Sequence, residues 1–129
     1  MVILENRYIL INKIGMGGMA IVYKAWDEKL NKFVAIKQIR KKYTKNAKFI
    51  DMFKAEAQNT AKLEHENIVR VMDFIEHSDN ELFIVMDYVN GVDLSYMLKK
   101  RKKIRIKIPV DFALFIMSKV IKAFDYAYK

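Results

Sequence analysis

The chain has 129 residues, 53% of them hydrophobic and 12% aromatic, a composition that excludes a disordered chain and fits one folded domain. Its 24 lysines and arginines outnumber its 15 acidic residues, and the resulting net charge of +9 raises the prospect of contact with polyanions. The sequence has no cysteine, which excludes disulfides and thiolate metal sites, and its longest apolar run, 112–117, is too short to cross a bilayer. We therefore expect a cytoplasmic domain without a transmembrane segment.

The pattern of apolar and β-branched residues predicts three strands, a helix and two further strands, in that order. The strands are expected over residues 8–14, 21–26, 33–39, 70–75 and 82–86. The helix is expected over residues 45–63, with one stripe at helical spacing facing the sheet. That stripe comprises Phe49, Phe53, Glu56, Thr60 and Leu63. This order predicts an α+β lobe in which one main helix crosses a five-stranded antiparallel sheet.

Two more helices are expected after the sheet. Asp93 can cap a short one that runs through Leu98, because its carboxylate can accept the free amides of a first turn. Pro109 suits the first turn of the last helix, 110–128, which carries a stripe of small and apolar residues. The stripe comprises Ala113, Ile116, Val120, Ala123, Phe124 and Ala127. We expect this helix to expose an apolar face or to bury it by self-association.

A basic run, 99–107, lies between these two helices and contains seven lysines and arginines in nine residues. One interpretation is a site for nucleic acid or for an anionic membrane. The other is a solvated loop that joins two helices. No aromatic residues are interleaved with the charges, as stacking on bases would require. We therefore expect a solvated loop here and no nucleic-acid partner.

A glycine-rich stretch near the start of the chain is the most informative segment. Three of the four glycines are Gly15, Gly17 and Gly18, and the β-branched run that follows them favours a strand. A dinucleotide-binding loop would instead open a helix, and a P-loop would need Gly-Lys-Ser/Thr, which is absent from the sequence. With Val22 and the run Val-Ala-Ile-Lys at 34–37, the stretch predicts a hairpin whose backbone amides meet phosphate, followed by a lysine-bearing strand.

These features resemble the N-terminal part of a Ser/Thr protein kinase, in particular of the bacterial kinases related to eukaryotic ones. One position departs from the family pattern, since Ala20 stands where the third glycine would be, a small replacement common in the bacterial branch. The resemblance covers nearly the whole chain but about half of a kinase domain. It implies an N-lobe over residues 8–86, an interlobe hinge over 87–92 and the start of a C-lobe over 93–129.

Lys37 and Glu56 are the residues to which the resemblance assigns catalytic roles. A lysine in an apolar strand is costly unless it is paired, and Glu56 lies in the predicted inner stripe of the first helix. Each residue therefore explains the other's placement, whereas Glu64 and Glu66 are weaker partners because they follow the end of the stripe. By the resemblance, Lys37 contacts the α- and β-phosphates of ATP and pairs with the glutamate of this helix.

The resemblance also implies an adenine site at the hinge. The carbonyl of Asp87 and the amide of Val89 would meet the edge of the base, and Met86 would guard the back of the pocket. Asp93 either reaches the ribose or serves only as the helix cap. The glycine loop would cover the phosphates. The purine would lie between Ile14, Val22, Ala35 and Val69, positions that ordinary core packing would also explain.

Phosphoryl transfer in this family further needs a catalytic-loop Asp, an Asn and an Asp-Phe-Gly metal site. Neither His-Arg-Asp nor Asp-Phe-Gly occurs in the 129 residues. The resemblance therefore implies the ATP-binding portion of an enzyme that uses ATP and Mg²⁺ to phosphorylate protein hydroxyls, with Mg²⁺ ligands outside this chain. We expect His65 to be structural. The alternatives are a non-catalytic kinase-like module that binds nucleotide or protein, and a basic adaptor acting through 99–107.

Overall fold

The computed structural model of the chain describes residues 1–128, which form six strands and three helices. The strands are β1 (Val2–Leu4), β2 (Tyr8–Met16), β3 (Ala20–Asp27), β4 (Lys32–Ile39), β5 (Val71–Glu76) and β6 (Leu82–Asp87). The helices are α1 (Ala47–Ala61), α2 (Leu94–Lys103) and α3 (Val110–Ala127). The chain divides into two compact units. The first holds residues 1–64 and 69–88, and the second holds 65–68 and the residues from 89 onward.

One antiparallel sheet, in the order β1-β2-β3-β4-β6-β5, forms the frame of the first unit. The five predicted strands are confirmed, but the predicted count is wrong because a sixth strand, β1, pairs with the start of β2. This strand has only three residues. Its connection to β2 places Glu5 and Asn6 in the left-handed backbone region, at φ of 56° and 51°. Without glycine or proline at that turn, the sequence carries no strong signal for a hairpin.

The two faces of the sheet carry separate apolar clusters, because successive side chains of a strand point to opposite faces. The first face is packed by residues of the β1–β2 hairpin. Its cluster comprises Leu4, Tyr8, Ala25, Val34, Ile36, Ile75, Phe83 and Val85. The second face is packed by α1. Its cluster comprises Ala20, Ile39, Ile50, Phe53, Ala57, Leu82 and Ile84.

Helix α1 begins after Asn46, whose side chain accepts the amides of Lys48 and Phe49. Its buried residues are Ile50, Phe53 and Ala57, which lie on one face at spacings of three and four. Of the stripe predicted from the sequence, only Phe53 is buried, and Glu56 is exposed. That stripe was therefore placed wrongly. The core face passes through Ile50 and Ala57, and Glu56 borders it.

A partly buried ion pair joins Arg7, the residue before β2, to Asp27 at the end of β3. The guanidinium of Arg7 donates to both carboxylate oxygens of Asp27, at 2.9 and 2.8 Å. Asp27 also accepts the amides of Lys29 and Leu30, at 3.0 and 3.2 Å, which fixes the turn into β4. The hydrogen bonds from Arg7 hold the pKa of the Asp27 carboxyl below its usual value.

The second unit contains α2 and α3, and none of its described residues is fully buried. The predicted cap is confirmed, because the carboxylate of Asp93 accepts the amide of Tyr96 at 2.7 Å. Helix α2 extends to Lys103 rather than to Leu98, so the first five cations of the basic run are helical. The prediction of a loop over the whole run is wrong for those five, because Lys and Arg are good helix formers. No helix found between residues 1 and 128 is both long and apolar enough to cross a membrane.

Candidate functional site

A lysine of the sheet and a glutamate of α1 form the central contact of the candidate site. Nζ of Lys37 lies 2.6 Å from Oε1 of Glu56. Lys37 lies on β4 between Val22 of β3 and Ile84 of β6, so its side chain projects from the face that α1 covers. The ion pair predicted from the sequence is confirmed, and Glu56 is the partner.

The Lys37–Glu56 pair is more exposed than the apolar surroundings of both residues in the sequence predict. The side chains of Lys37 and Glu56 retain 25% and 45% of their accessible surface. The cost of burying a lone charge therefore does not explain their placement. A pair this exposed stabilises the fold by only about 0–1 kcal/mol. The pair instead presents a positioned ammonium group on an accessible surface, where a ligand can reach it.

Three apolar positions of the predicted nucleotide site share the face of Lys37. Cross-strand partners project from the same side of a sheet. Val22 is the partner of Lys37 on β3. Ala35 lies two residues before Lys37 and faces the same way, and its partner on β6 is Met86. The sheet therefore brings Val22, Ala35, Lys37 and Met86 together on one face of three adjacent strands.

The glycine stretch forms the β2–β3 hairpin, as predicted. Gly15 pairs with Val22 across it and so lies on the Lys37 face, and the amide of Gly17 donates to the carbonyl of Ala20 at 2.9 Å. None of these glycines has a positive φ. A Cβ added at Gly15 or Gly17 would lie at least 3.8 Å from the nearest described atom beyond its chain neighbours, and one at Gly18 would meet none within 4 Å. The packing of the described chain therefore does not require these glycines, and they leave room for another molecule.

Arg40 holds the tip of this hairpin from the end of β4. Its Nη1 donates to the carbonyl of Gly18 at 3.2 Å, and its backbone amide donates to the carbonyl of Met19 at 2.8 Å. In a trans peptide the C=O and N–H groups point in opposite directions, so this contact turns the amide of Met19 away from the guanidinium. The contact therefore fixes the orientation of the Met19 amide. Sequence reasoning missed Arg40.

The predicted adenine contacts are divided between the two units. Asp87 ends β6 in the first unit, where its amide donates to the carbonyl of Arg70 at 3.0 Å. Val89 and Asp93 belong to the second unit, and both are exposed. Contact of Asp87 and Val89 with a base, and of Asp93 with a ribose, stays a prediction. Ile14 and Val69 are exposed in the first unit, at 46% and 42%, and their contact with a purine also stays a prediction.

His65 makes local contacts within the second unit. Its Nδ1 accepts the amide of Asn67 at 3.1 Å, and its ring centroid lies 5.1 Å from that of Tyr126. These contacts agree with the structural role expected from the sequence. Within residues 1–128, no group of three or more His, Asp or Glu side chains could hold a metal ion.

Comparison with known proteins gives one consistent family. The family model described as protein kinase domain matches residues 8–129. Serine/threonine-protein kinase PrkC of Bacillus subtilis is 37% identical over 126 residues, which are 98% of this chain and 19% of that protein. Serine/threonine-protein kinase PknA of Mycobacterium tuberculosis is 35% identical over 114 residues, which are 85% of this chain and 26% of that protein.

Solved structures agree with the sequence comparison. The crystal structure of the Mycobacterium tuberculosis PknI kinase domain matches with a TM-score of 0.78 at 28% identity. The match covers 97% of this chain and 49% of that domain. The chain thus spans 19% and 26% of the two curated relatives above and about half of a solved kinase domain.

Proposed function

Because this chain belongs to the protein kinase family, we propose that it binds ATP, and that the whole protein transfers the γ-phosphate of ATP to serine or threonine hydroxyls of proteins. The observation that carries the proposal is the 2.6 Å contact between Lys37 and Glu56, which lies on the same face of the sheet as Gly15 of the β2–β3 hairpin. Phosphoryl transfer in protein kinases requires a lysine–glutamate ion pair between a strand and a helix. The proposed location is the cytoplasm.

The residues of this face fit a nucleotide triphosphate. Lys37 would hold the α- and β-phosphates, and Glu56 would keep the ammonium group oriented toward them. The amides of Gly18 and Met19 would cover the phosphates, because glycines leave the backbone accessible. When bound, ATP supplies the phosphoryl group. The proposed contacts with adenine and ribose are Ile14, Val22, Ala35, Val69, Met86, Asp87, Val89 and Asp93.

For the 129-residue chain alone, we propose weak nucleotide binding without phosphoryl transfer. Neither His-Arg-Asp nor Asp-Phe-Gly is present in its sequence. In this family those motifs supply the catalytic base and the metal ligands. Mg²⁺ would therefore be held with the help of ligands outside these residues.

Equilibrium titration of the 129-residue chain with a fluorescent ATP analogue tests the nucleotide site. We expect Lys37→Met to weaken binding by at least about tenfold, because it removes both the cation and its bond to Glu56. Lys29→Met, which removes an exposed lysine from the β3–β4 turn, is the matched control and should bind as the parent chain does. Circular dichroism verifies that both variants fold. Equal affinity of the parent chain and Lys37→Met would contradict the site assignment.

A non-catalytic kinase-like module that binds nucleotide or a partner protein is the leading alternative. An assay of labelled-phosphate transfer from ATP to a generic protein substrate measures whether this chain has kinase activity. We expect no transfer. Transfer by the purified chain that Lys37→Met abolishes would contradict this expectation.

A further inference from the structure

The end of α2 and the turn that follows carry dense positive charge. Residues 94–110 include seven lysines and arginines and no aspartate or glutamate. Six of the seven are exposed, whereas Arg101 is half-buried and donates to the carbonyl of Lys107 at 3.3 Å. The ion pairs formed among residues 1–128 involve none of the seven. We call residues 99–107 the basic surface.

Stabilisation of α2 by cations near its C-terminus explains only part of this charge. Cations in the last turn interact favourably with the helix dipole, but the effect falls off beyond that turn. Lys99 precedes the last turn, and Arg105 and Lys107 follow the helix. Like charges three or four residues apart, such as Lys99 and Lys103, destabilise a helix. The repulsion among these cations therefore destabilises α2, so the stability of the fold does not explain why they are clustered there.

The turn after α2 adds two apolar side chains to the basic surface. Ile104 and Ile106 are 57% and 53% exposed. The turn has a defined backbone, because the amide of Ile104 donates to the carbonyl of Lys100 at 3.3 Å and that of Ile106 to the carbonyl of Arg101 at 2.9 Å. Arg105, between the two isoleucines, adopts a left-handed conformation with φ of 60°. The turn therefore presents isoleucines and cations together.

We propose that the basic surface docks on a membrane that contains anionic lipids. Clusters of about four to eight lysines and arginines bind anionic headgroups. Aliphatic side chains among them strengthen the attachment by entering the boundary between headgroups and acyl chains. No aromatic residue occurs from 97 to 111, so the platform on which single-stranded nucleic acid stacks is missing. The proposal is independent of ATP binding, since no residue of the proposed nucleotide site belongs to the basic surface.

Vesicle flotation tests the proposal with the 129-residue chain. Vesicles of phosphatidylcholine with about 30% phosphatidylglycerol are compared with vesicles of phosphatidylcholine alone, in about 0.1 M salt. Flotation is preferred to sedimentation because protein aggregates sink whereas lipid-bound protein rises. We expect at least about tenfold stronger binding to the anionic vesicles, and weaker binding as salt increases.

Two matched variants separate the basic surface from net charge. The first replaces four of its exposed lysines with glutamine: Lys99→Gln, Lys100→Gln, Lys102→Gln and Lys103→Gln. The second does the same to four exposed lysines around the start of α1: Lys41→Gln, Lys42→Gln, Lys45→Gln and Lys48→Gln. The two have equal net charge. We expect the first to lose at least about tenfold in vesicle affinity and the second less than about threefold. Circular dichroism confirms that each remains folded.

A third variant tests the isoleucines. Ile104→Ser combined with Ile106→Ser keeps every charge, and we expect it to weaken vesicle binding several-fold. Equal losses in the two lysine variants, or equal binding to both kinds of vesicle, would overturn the proposal. Tighter binding of the parent chain to a single-stranded DNA oligonucleotide than to anionic vesicles would also overturn it, in favour of a nucleic-acid partner.

Discussion

Arg40 is a residue whose side chain sets the direction of a backbone group in the glycine hairpin. Arg40→Met removes the bond to the Gly18 carbonyl, so the peptide between Gly18 and Met19 is free to turn. Since one hydrogen bond is worth roughly 0.5–1.5 kcal/mol, we expect the affinity for ATP to fall by about three- to tenfold. Adenosine has no phosphates and should bind as before. Competition of each ligand against a fluorescent ATP analogue measures the two affinities.

The control for this prediction is Lys41→Met, which removes the neighbouring exposed cation and gives the same net charge. We expect it to leave the ratio of ATP to adenosine affinity unchanged. If Arg40→Met weakened ATP and adenosine equally, the residue would support the fold in general. Its proposed role in positioning the Met19 amide would then be wrong.

Asp27 predicts an acid-sensitive contribution to stability. Its pKa is lowered in the folded chain by the bonds from Arg7, so it stabilises the fold above its unfolded pKa of about 3.8. That contribution is lost as pH falls through the lower, folded pKa. We expect Asp27→Asn to lower the free energy of unfolding by about 2 kcal/mol at neutral pH, and by progressively less below about pH 4. Thermal unfolding across this range measures the difference, and a difference independent of pH would contradict the prediction.

Residue-level prediction from the sequence succeeded where a residue type has a fixed partner on another element. Lys37 and Glu56 could be matched from the sequence, because a strand that carries a lysine and a helix that carries a glutamate both follow the glycine-rich β2–β3 hairpin. The physical reason offered for the match, burial of both charges, was wrong because both side chains are partly exposed. Arg40 could not be found, since a bond to a backbone carbonyl leaves no complementary residue type in the sequence.

In the β2–β3 hairpin, we expect one added methyl group to change the affinity for ATP and the free energy of unfolding in different ways. A side chain at Gly15 would project onto the face of Val22 and Lys37, where the nucleotide is proposed to lie. Gly15→Ala should weaken ATP binding by at least about threefold, because a Cβ takes space from the ligand. Its free energy of unfolding should stay the same or rise by up to about 1 kcal/mol, because glycine is unfavourable in strands. Titration and thermal unfolding measure the two effects, and a loss of stability that paralleled the loss of affinity would contradict this.

The elements that could be predicted are those with a strong hydrophobic period. Strands β2 to β6 and helices α1 and α3 lie within two residues of their predicted bounds. Strand β1 was missed because three residues are too few for alternation to be recognised. The second half of α2 was missed because a run of like charges is more typical of a solvated loop than of a helix.

Helix α3 exposes more apolar surface than the described residues cover. The predicted stripe is only partly exposed, since Ile116 and Ala123 are half-buried. A second set of apolar side chains recurs at spacings of three and four and is exposed by 53% or more at each position. This set comprises Val110, Leu114, Met117, Ile121 and Phe124. A helix that is apolar on more than one face is typical of a protein interior, and none of the described residues in its unit is fully buried.

We predict that the 129-residue chain self-associates through this second set. Contiguous apolar patches of this kind usually mark an interface, and another copy of the chain offers a matching surface. Leu114→Gln with Ile121→Gln should shift the sedimentation coefficient toward that of a monomer, over a roughly hundredfold range of concentration, because it places two amides in the interface. Ile11→Gln with Leu30→Gln, at exposed positions of the first unit, is the matched control and should sediment as the parent chain does. A parent chain that stays monomeric throughout and binds no hydrophobic dye would show that α3 does not form this interface.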